Sequence, residues 1–309
     1  MSDKIDRREF IRMISALGLS AAAFSGLTIE ELARFLGVGP AFAGAVSQVY
    51  MAKGGTMEDR LKRVLAPLGS ISRFVKKGMR VVLKPNIAWA RKPEQAATTT
   101  PELMYCLVKA CYGAGAGKVD IYEHTADQYI FAFRESGIQK AVENAGGRMN
   151  SGHRSSLYKK IPIPKGKDLT ESHVLRPVLE ADCFINVPTA KVHHAAGLTF
   201  GLKNHMGIIK DRGMWHRKDL QQCIADFSSA IRPALTIIDA TRLLLTNGPK
   251  GPGKVKIMNT LIAGLDPVAC DAVACTLFNT APEKYPCLPM AAALGVGEYR
   301  LGKIRINTV

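Results

Sequence analysis

A chain of 309 residues that is 47% apolar and 22% charged can bury a sizeable core, which excludes a disordered or fibrous protein and leaves one large domain or two lobes. Its net charge of +16 favours anionic partners. No basic motif is interleaved with aromatics, so nucleic acid is not expected; an anionic small molecule, a peripheral contact with an anionic membrane, or a plain solubility surface all fit.

The N-terminus reads as a leader. Arg7-Arg8 and Arg12 precede an uncharged stretch from Met13 to Thr28, and Ala41-Phe42-Ala43 has the form of a cleavage signal. This pattern predicts a twin-arginine signal peptide over residues 1–43, the twin-arginine export machinery as a partner, and an exported, periplasmic or extracytoplasmic location. The uncharged run is shorter than the roughly 20 apolar residues that span a bilayer, which favours cleavage over retention as an anchor. The seven cysteines include no C-x-x-C, which argues against a disulfide framework or a ferredoxin-type cluster and for small buried side chains.

Residues 44–75 are expected to form a linker and a helix, with Thr56 and Asp59 at capping-box spacing and Gly69 as the stop. Residues 76–309 then alternate β-branched runs with helical stretches. The strand ending at Lys84-Pro85-Asn86 precedes a helix from Pro101 to about Tyr112; the strand ending at Glu123-His124 precedes one helix from about Phe131 to Ala145. A Lys- and Pro-rich stretch from Asn150 to Ser172 reads as an excursion or hairpin. After the strand ending at Val187-Pro188, the stretch AKVHHAAGLTFGLKNHMGIIK at 190–210 is expected to be a loop. Asp219 caps the next helix, and further strands end at Asp239 and Asp266.

This alternation predicts an α/β fold, a mostly parallel sheet with helices on both faces. Ligands of such sheets bind beyond the carboxyl ends of the strands. Lys84, Asn86, Glu123, His124, Lys191, His193, Asp239 and Asp266 are therefore expected along one rim. His193 and His124 suit acid/base work near neutral pH, and Lys203 suits a nucleophile or an anion contact. With Asp239 they form the candidate catalytic set. Lys84, Asn86, Arg91, Lys191 and Asn204 form the candidate substrate-binding set, and His193 with His216 the candidate metal ligands. By spacing alone, metal binding, anion contact and a solvated loop all stay open for 190–210. Asp266 reads equally as the cap of the helix opened by Pro267, and Asp271, inside an apolar helix, calls for a lysine or backbone amide as partner.

Lys84-Pro85-Asn86, Thr99-Thr100-Pro101, the run from Asp182 to Pro188, Lys191 with His193, Gly201 to Asn204 with Gly207, Gly248-Pro249, and Asp266 to Asp271 together resemble domain-of-unknown-function family 362, over about residues 78–280. The segment from His193 to Lys203 is also similar to nickel-dependent lactate racemases. That second resemblance implies a nickel-pincer nucleotide on Lys203, α-proton exchange by His124 and His193, and an anionic group held by Arg91. The expectation is an exported enzyme acting on a small anionic substrate, with racemase-like, isomerase-like or redox-associated chemistry. The alternative is a periplasmic anion-binding or cofactor-maturation protein without catalysis.

Overall fold

The computed structural model describes residues 46–309; the expected signal peptide lies outside the described residues. Strand β1 (Ser47–Lys53) leads to helix α1 (Met57–Leu65), whose capping box is formed as the spacing predicts: Thr56 Oγ1 accepts from the Asp59 amide and Asp59 accepts from the Thr56 amide. β2 (Arg80–Pro85), α2 (Pro101–Gly113) and β3 (Lys118–Glu123) follow. The single helix expected after β3 is two, α3 (Tyr129–Glu135) and α4 (Ile138–Asn144). They part at Gly137, whose φ of +70° no L side chain adopts easily.

β4 (Arg148–Ser151) precedes a separate antiparallel hairpin, β5 (Tyr158–Pro162) with β6 (Glu171–Leu175), in the expected excursion. After α5 (Arg176–Leu179) and β7 (Cys183–Val187), the stretch expected to be a loop is structured. β8 (Thr189–His193) and β9 (Gly197–Thr199) form a hairpin that turns at Gly197, φ +75°. α6 (Gly201–Asn204) and a 3₁₀ turn over His205–Ile208 complete it. α7 (Arg212–Arg217), α8 (Leu220–Ala230), β10 (Leu235–Leu244), β11 (Val255–Gly264), α9 (Pro267–Thr276), α10 (Cys287–Ala293) and β12 (Ile304–Thr308) close the chain.

The ten-stranded sheet runs β12-β1-β11-β10-β7-β2-β3-β4, with β8 on β10 and β9 on β8. It is mostly parallel; the antiparallel pairs are β1–β11, β10–β11 and β8–β9. β2, β3 and β7 are buried along nearly their whole length, as expected of strands covered on both sides. Alternation along β2 shows the two covers. Val81 and Leu83 join a core with Leu103, Met104 and Leu107 of α2, whereas Val82 joins the other with Ile224 and Phe227 of α8.

Three expectations change. β1 lies between β12 and β11, so the stretch expected as linker and helix supplies a strand of the sheet itself. β10 does not stop at Asp239; it continues to Leu244 after a register shift between Ala240 and Arg242, pairing first with β7 and then with β8. β11 runs antiparallel to β10, so Asp266 stands at the opposite edge from Lys84. There it caps α9, accepting from Val268 and Ala269, the alternative that the Asp-Pro pair had offered.

Candidate functional site

β2, β3, β7 and β8 deliver a polar cluster to the carboxyl edge of the sheet. At its base Lys84 and Glu123 form an ion pair of 2.8 Å with both side chains buried. Lys84 Nζ also donates to the Pro85 carbonyl and, at 3.4 Å, to Asn204 Oδ1; Glu123 Oε2 also accepts from the Ile87 amide at 2.9 Å. Asn204 is a strut, its amide donating to Asn186 Oδ1 (2.8 Å) and the Lys84 carbonyl (3.0 Å) while its oxygen accepts from Asn86 (3.1 Å). Asn86 Oδ1 in turn accepts from Lys191 Nζ at 3.0 Å, and the Ala97 carbonyl accepts from the same ammonium at 2.5 Å.

Lys84, Asn86 and Asn204, expected as substrate contacts, are therefore committed to one another, and their hydrogen bonds position the groups above them. The 205–208 turn seals this base. A Cβ on Gly207 would stand 1.8 Å from Glu123 Oε1 and 2.6 Å from Lys84 Nζ, so only glycine lets the backbone come this close.

Lys203 sits differently. It is 7% exposed, and among the described residues its Nζ has a single hydrogen-bond partner, the weakly accepting sulfur of Met206 at 3.4 Å. Its helix is held from below: Asp271 of α9 accepts from the Gly201 and Leu202 amides at 2.7 and 2.9 Å, the backbone partnership its buried carboxylate calls for. Burial pushes that carboxyl up to about 7 despite the two amides. Burial likewise lowers Lys203 to about 7, with Arg212 adding to the fall, and lowers Lys191 to about 7, with Lys203 adding.

The histidines present opposite polarities. His124 Nδ1 lies 2.9 Å from the Ile209 carbonyl, which can only accept, so Nδ1 carries the proton and Nε2 holds the lone pair. Tyr158 OH, 3.0 Å from Nδ1, sends its own hydrogen to the Gly152 carbonyl at 2.7 Å. Burial keeps His124 below the ordinary imidazole value, with Arg212 and His153 contributing to the fall. His193 is the reverse: its Nδ1 accepts from the Ala195 and Ala196 amides at 3.1 and 3.3 Å, so Nε2 bears the hydrogen. Burial first, then Lys203, Lys191 and His216, lower it to about 2.

This bears on the metal expectation. Ligation by His193 needs a lone pair, and the one it has is taken by two amides. Exposed His216 is in electrostatic reach of His193 and Lys203, but among the described residues no group of three His, Cys, Asp or Glu gathers as a metal site. The attachment amine that a nickel-pincer nucleotide needs is present in Lys203; a donor set for its metal is not clustered there.

Asp239 accepts from the Thr100 amide at 2.6 Å and from the Thr241 amide at 2.9 Å, fixing the start of α2 to β10; none of its hydrogen bonds reaches the lysines. Arg91 donates to the carbonyls of Lys250 and Ala90, bracing the 247–253 loop, which also holds the His194 amide through Gly248.

The principal residue that sequence reasoning missed is Arg212. Its Nη2 donates to the Thr125 carbonyl at 2.7 Å, and its charge bears on Lys84, His124, His153, Lys203 and His216. His153 and Tyr158, beside His124, were missed too; the His124 and His153 ring centroids are 4.5 Å apart. The available signals were slight: Gly152, where a Cβ would stand 3.0 Å from the His124 side chain, and the Asp211 cap of α7.

The fold and site define a mostly parallel α/β domain with a lysine- and histidine-lined basic site beyond the carboxyl ends of its strands. The chain belongs to the family described as domain of unknown function DUF362, matched over residues 81–276. It is similar to a thylakoid-associated protein of Synechocystis sp., 28% identical over 269 residues that cover 81% of this chain and 78% of that protein. Among solved structures, the lactate racemase apoprotein of Thermoanaerobacterium thermosaccharolyticum aligns at TM-score 0.47 and 16% identity, covering 74% of this chain and 56% of that one. A Thermotoga maritima protein aligns at 0.44 and 14%, covering 72% and 59%.

Proposed function

We propose that this domain is an enzyme that binds a small anionic substrate over Lys191, Lys203 and Arg212 and moves a proton through His124. The observation that carries it is Lys203, a buried amine with no oxygen acceptor among the described residues, set between the Arg212 charge and the Cys287 thiol. Both nearby carboxylates are committed, Glu123 to Lys84 and Asp271 to the Gly201 and Leu202 amides. Burial lowers Lys203 toward the neutral amine, and a bound carboxylate or phosphate would restore its charged form. His124 offers a lone pair and His193 a hydrogen, the two halves of acid/base chemistry at a carbon next to a carboxylate. Racemase-like proton exchange belongs to this reading. Export by the twin-arginine route to an extracytoplasmic location is part of the proposal on the strength of the leader sequence.

Thermal unfolding in oxalate, sulfate or lactate, against chloride at equal ionic strength, tests the anion site. Ligand at about 100 times its dissociation constant adds roughly 2.7 kcal/mol to stability. The expected result is a rise in melting temperature that Lys203→Met abolishes; an equal rise in both proteins would place the anion elsewhere. Transfer of solvent deuterium to the α-carbon of a bound 2-hydroxy acid, lost in His124→Gln, is the matching assay of chemistry.

A membrane-facing placement has its own observation. Tyr129, Ile130 and Phe131, consecutive at the start of α3, are 41%, 58% and 45% exposed. Arg134 lies over the Phe131 ring at 5.2 Å, and the Tyr129 and His153 ring centroids are 5.8 Å apart, so the patch borders the site. Among the described residues no helix is long and apolar enough to cross a membrane. An exposed aromatic-aliphatic triplet on a chain of net charge +16 suits interfacial docking on anionic lipid, and the Synechocystis relative is named for a membrane association. Sedimentation with phosphatidylglycerol vesicles should recover the protein at low salt and leave Ile130→Asp/Phe131→Asp in solution. Equal recovery of both would remove the patch as the contact.

A further inference from the structure

The anion site holds three lysines, and they are not chemically equivalent. Lys84 donates to a carboxylate, a carbonyl and an amide oxygen; Lys191 donates to an amide oxygen and a carbonyl. Such acceptors hold an ammonium in place and tie up its nitrogen. Lys203 Nζ meets only the Met206 sulfur, and a thioether is too weak an acceptor to favour the charged form. A buried lysine nitrogen free of oxygen acceptors is arranged as an amine with an available lone pair.

The surroundings fit one class of reaction partner. Arg212 and Lys191 both stand in electrostatic reach of Lys203, two cations suited to a carboxylate, and His193 carries its hydrogen on Nε2, where it can donate to a carbonyl oxygen. The backbone under Lys203 is fixed by Asp271. A Cβ on Gly201 would stand 2.8 Å from Asp271 Oδ1, so this glycine keeps the carboxylate close beneath the helix.

We propose that Lys203 forms an imine with the carbonyl carbon of a small 2-oxo acid, whose carboxylate is held by Arg212 and Lys191. The amine lone pair attacks the carbonyl carbon to give a carbinolamine. One nitrogen hydrogen passes to the oxygen, the hydroxyl so formed takes a proton from solvent and leaves as water, and the nitrogen keeps its second hydrogen as the protonated imine, so that a C=N bond replaces the C=O bond and no oxidant or reductant is consumed. The protonated imine withdraws electrons from the neighbouring bonds of the substrate, which is how such lysines activate carbon acids. Lowering of Lys203 to about 7 by burial supports the same assignment. At pH 7 it raises the amine fraction roughly a thousandfold over that of a solvated lysine.

The proposal rests on the anion-binding reading and names the substrate class for it, and the two fail separately. The full chain is incubated with pyruvate or glyoxylate and sodium borohydride, digested, and mapped by mass spectrometry. The expected result is a reduced adduct on the peptide carrying Lys203 before any surface lysine is labelled, forming faster as pH rises from 6 to 8 and suppressed by oxalate. Adducts spread evenly over surface lysines, or a persistent adduct in a cooperatively unfolding Lys203→Met variant, would overturn it. Stabilisation by oxalate with no Lys203 adduct would leave the anion site standing and end the imine. Mapping on the wild-type chain decides the matter even where the variant fails to fold.

Discussion

Replacing Glu123 by leucine is expected to lower stability by about 3–5 kcal/mol in urea denaturation at pH 7, the range for removing one partner of a buried ion pair. Lys84 is fully buried and Glu123 nearly so, 2.8 Å apart. Burial pulls Lys84 below the ordinary lysine value, and Glu123 is the largest influence restoring it. Without the carboxylate, the ammonium keeps only the Pro85 carbonyl and a long bond to Asn204, and the Ile87 amide loses its acceptor. The double variant Lys84→Met/Glu123→Leu should recover most of the loss, because an apolar pair of similar volume replaces both charges. A single-variant loss below about 1 kcal/mol would mean that the pair does not carry a charge across this interface. The consequence reaches function through Gly207, whose turn lies on the pair and whose carbonyl accepts from the His124 amide. Local opening is expected there first, ahead of the core strands.

The parts of the fold legible in the sequence were those whose cause is local. The Thr56–Asp59 capping box, the Asp219 cap and the buried runs of β2, β3 and β7 each declare themselves within a few residues. Strand direction does not: the apolar run of β11 reads the same either way, which is why Asp266 was expected on the rim with Lys84. A strand that outlasts its neighbour is equally silent. β10 runs past Asp239, where β8 takes over after β7 ends at Val187, and that handover exists only in the sheet.

The site was legible as residue types near one edge, and the structure brings Lys84, Asn86, Lys191 and Asn204 into one hydrogen-bonded set. What sequence could not divide was bracing from contact. Lys84 and Lys203 look alike in a list of basic residues, but one has three acceptors and the other a lone sulfur. Arg212 comes from α7, His153 from the approach to the β5–β6 hairpin and Tyr158 from its first residue, far apart in sequence, and the Val174–Ile209 bridge ties that hairpin to the segment between the 205–208 turn and α7.

Stability should rise between pH 7 and 8.5, and saturating sulfate should flatten the rise. Lys191 and Lys203 are lowered to about 7 in the fold against 10.5 for the free side chain, so above pH 7 the folded state has released protons that the unfolded chain still binds. Stability climbs with pH wherever the unfolded state binds more protons, by up to about 1.4 kcal/mol per pH unit for each group. Integrated over this window the two lysines contribute about 3 kcal/mol. Asp271, raised to about 7, loses stability as pH rises through 7, so only a few tenths of a kcal/mol of its effect falls within the window and most falls below it. The lowered histidines oppose it there, since His193, His205, His124, His153 and His216 each disfavour the fold as they are forced to charge. All seven thiols are raised from 9.0, so as the unfolded thiols begin to ionise near pH 8.5 they take back part of the rise at the top of the window, roughly 1 kcal/mol together. Urea midpoints measured at pH 7.0, 7.5, 8.0 and 8.5 should thus increase for the wild type, most steeply up to pH 8.0, and lose that increase in Lys191→Met/Lys203→Met. Bound sulfate favours the charged lysines and restores their protons in the folded state, which removes the difference in proton count and with it the slope. A slope that survives both the double variant and sulfate would assign the titration to other groups, and would leave Lys203 an ordinary buried cation.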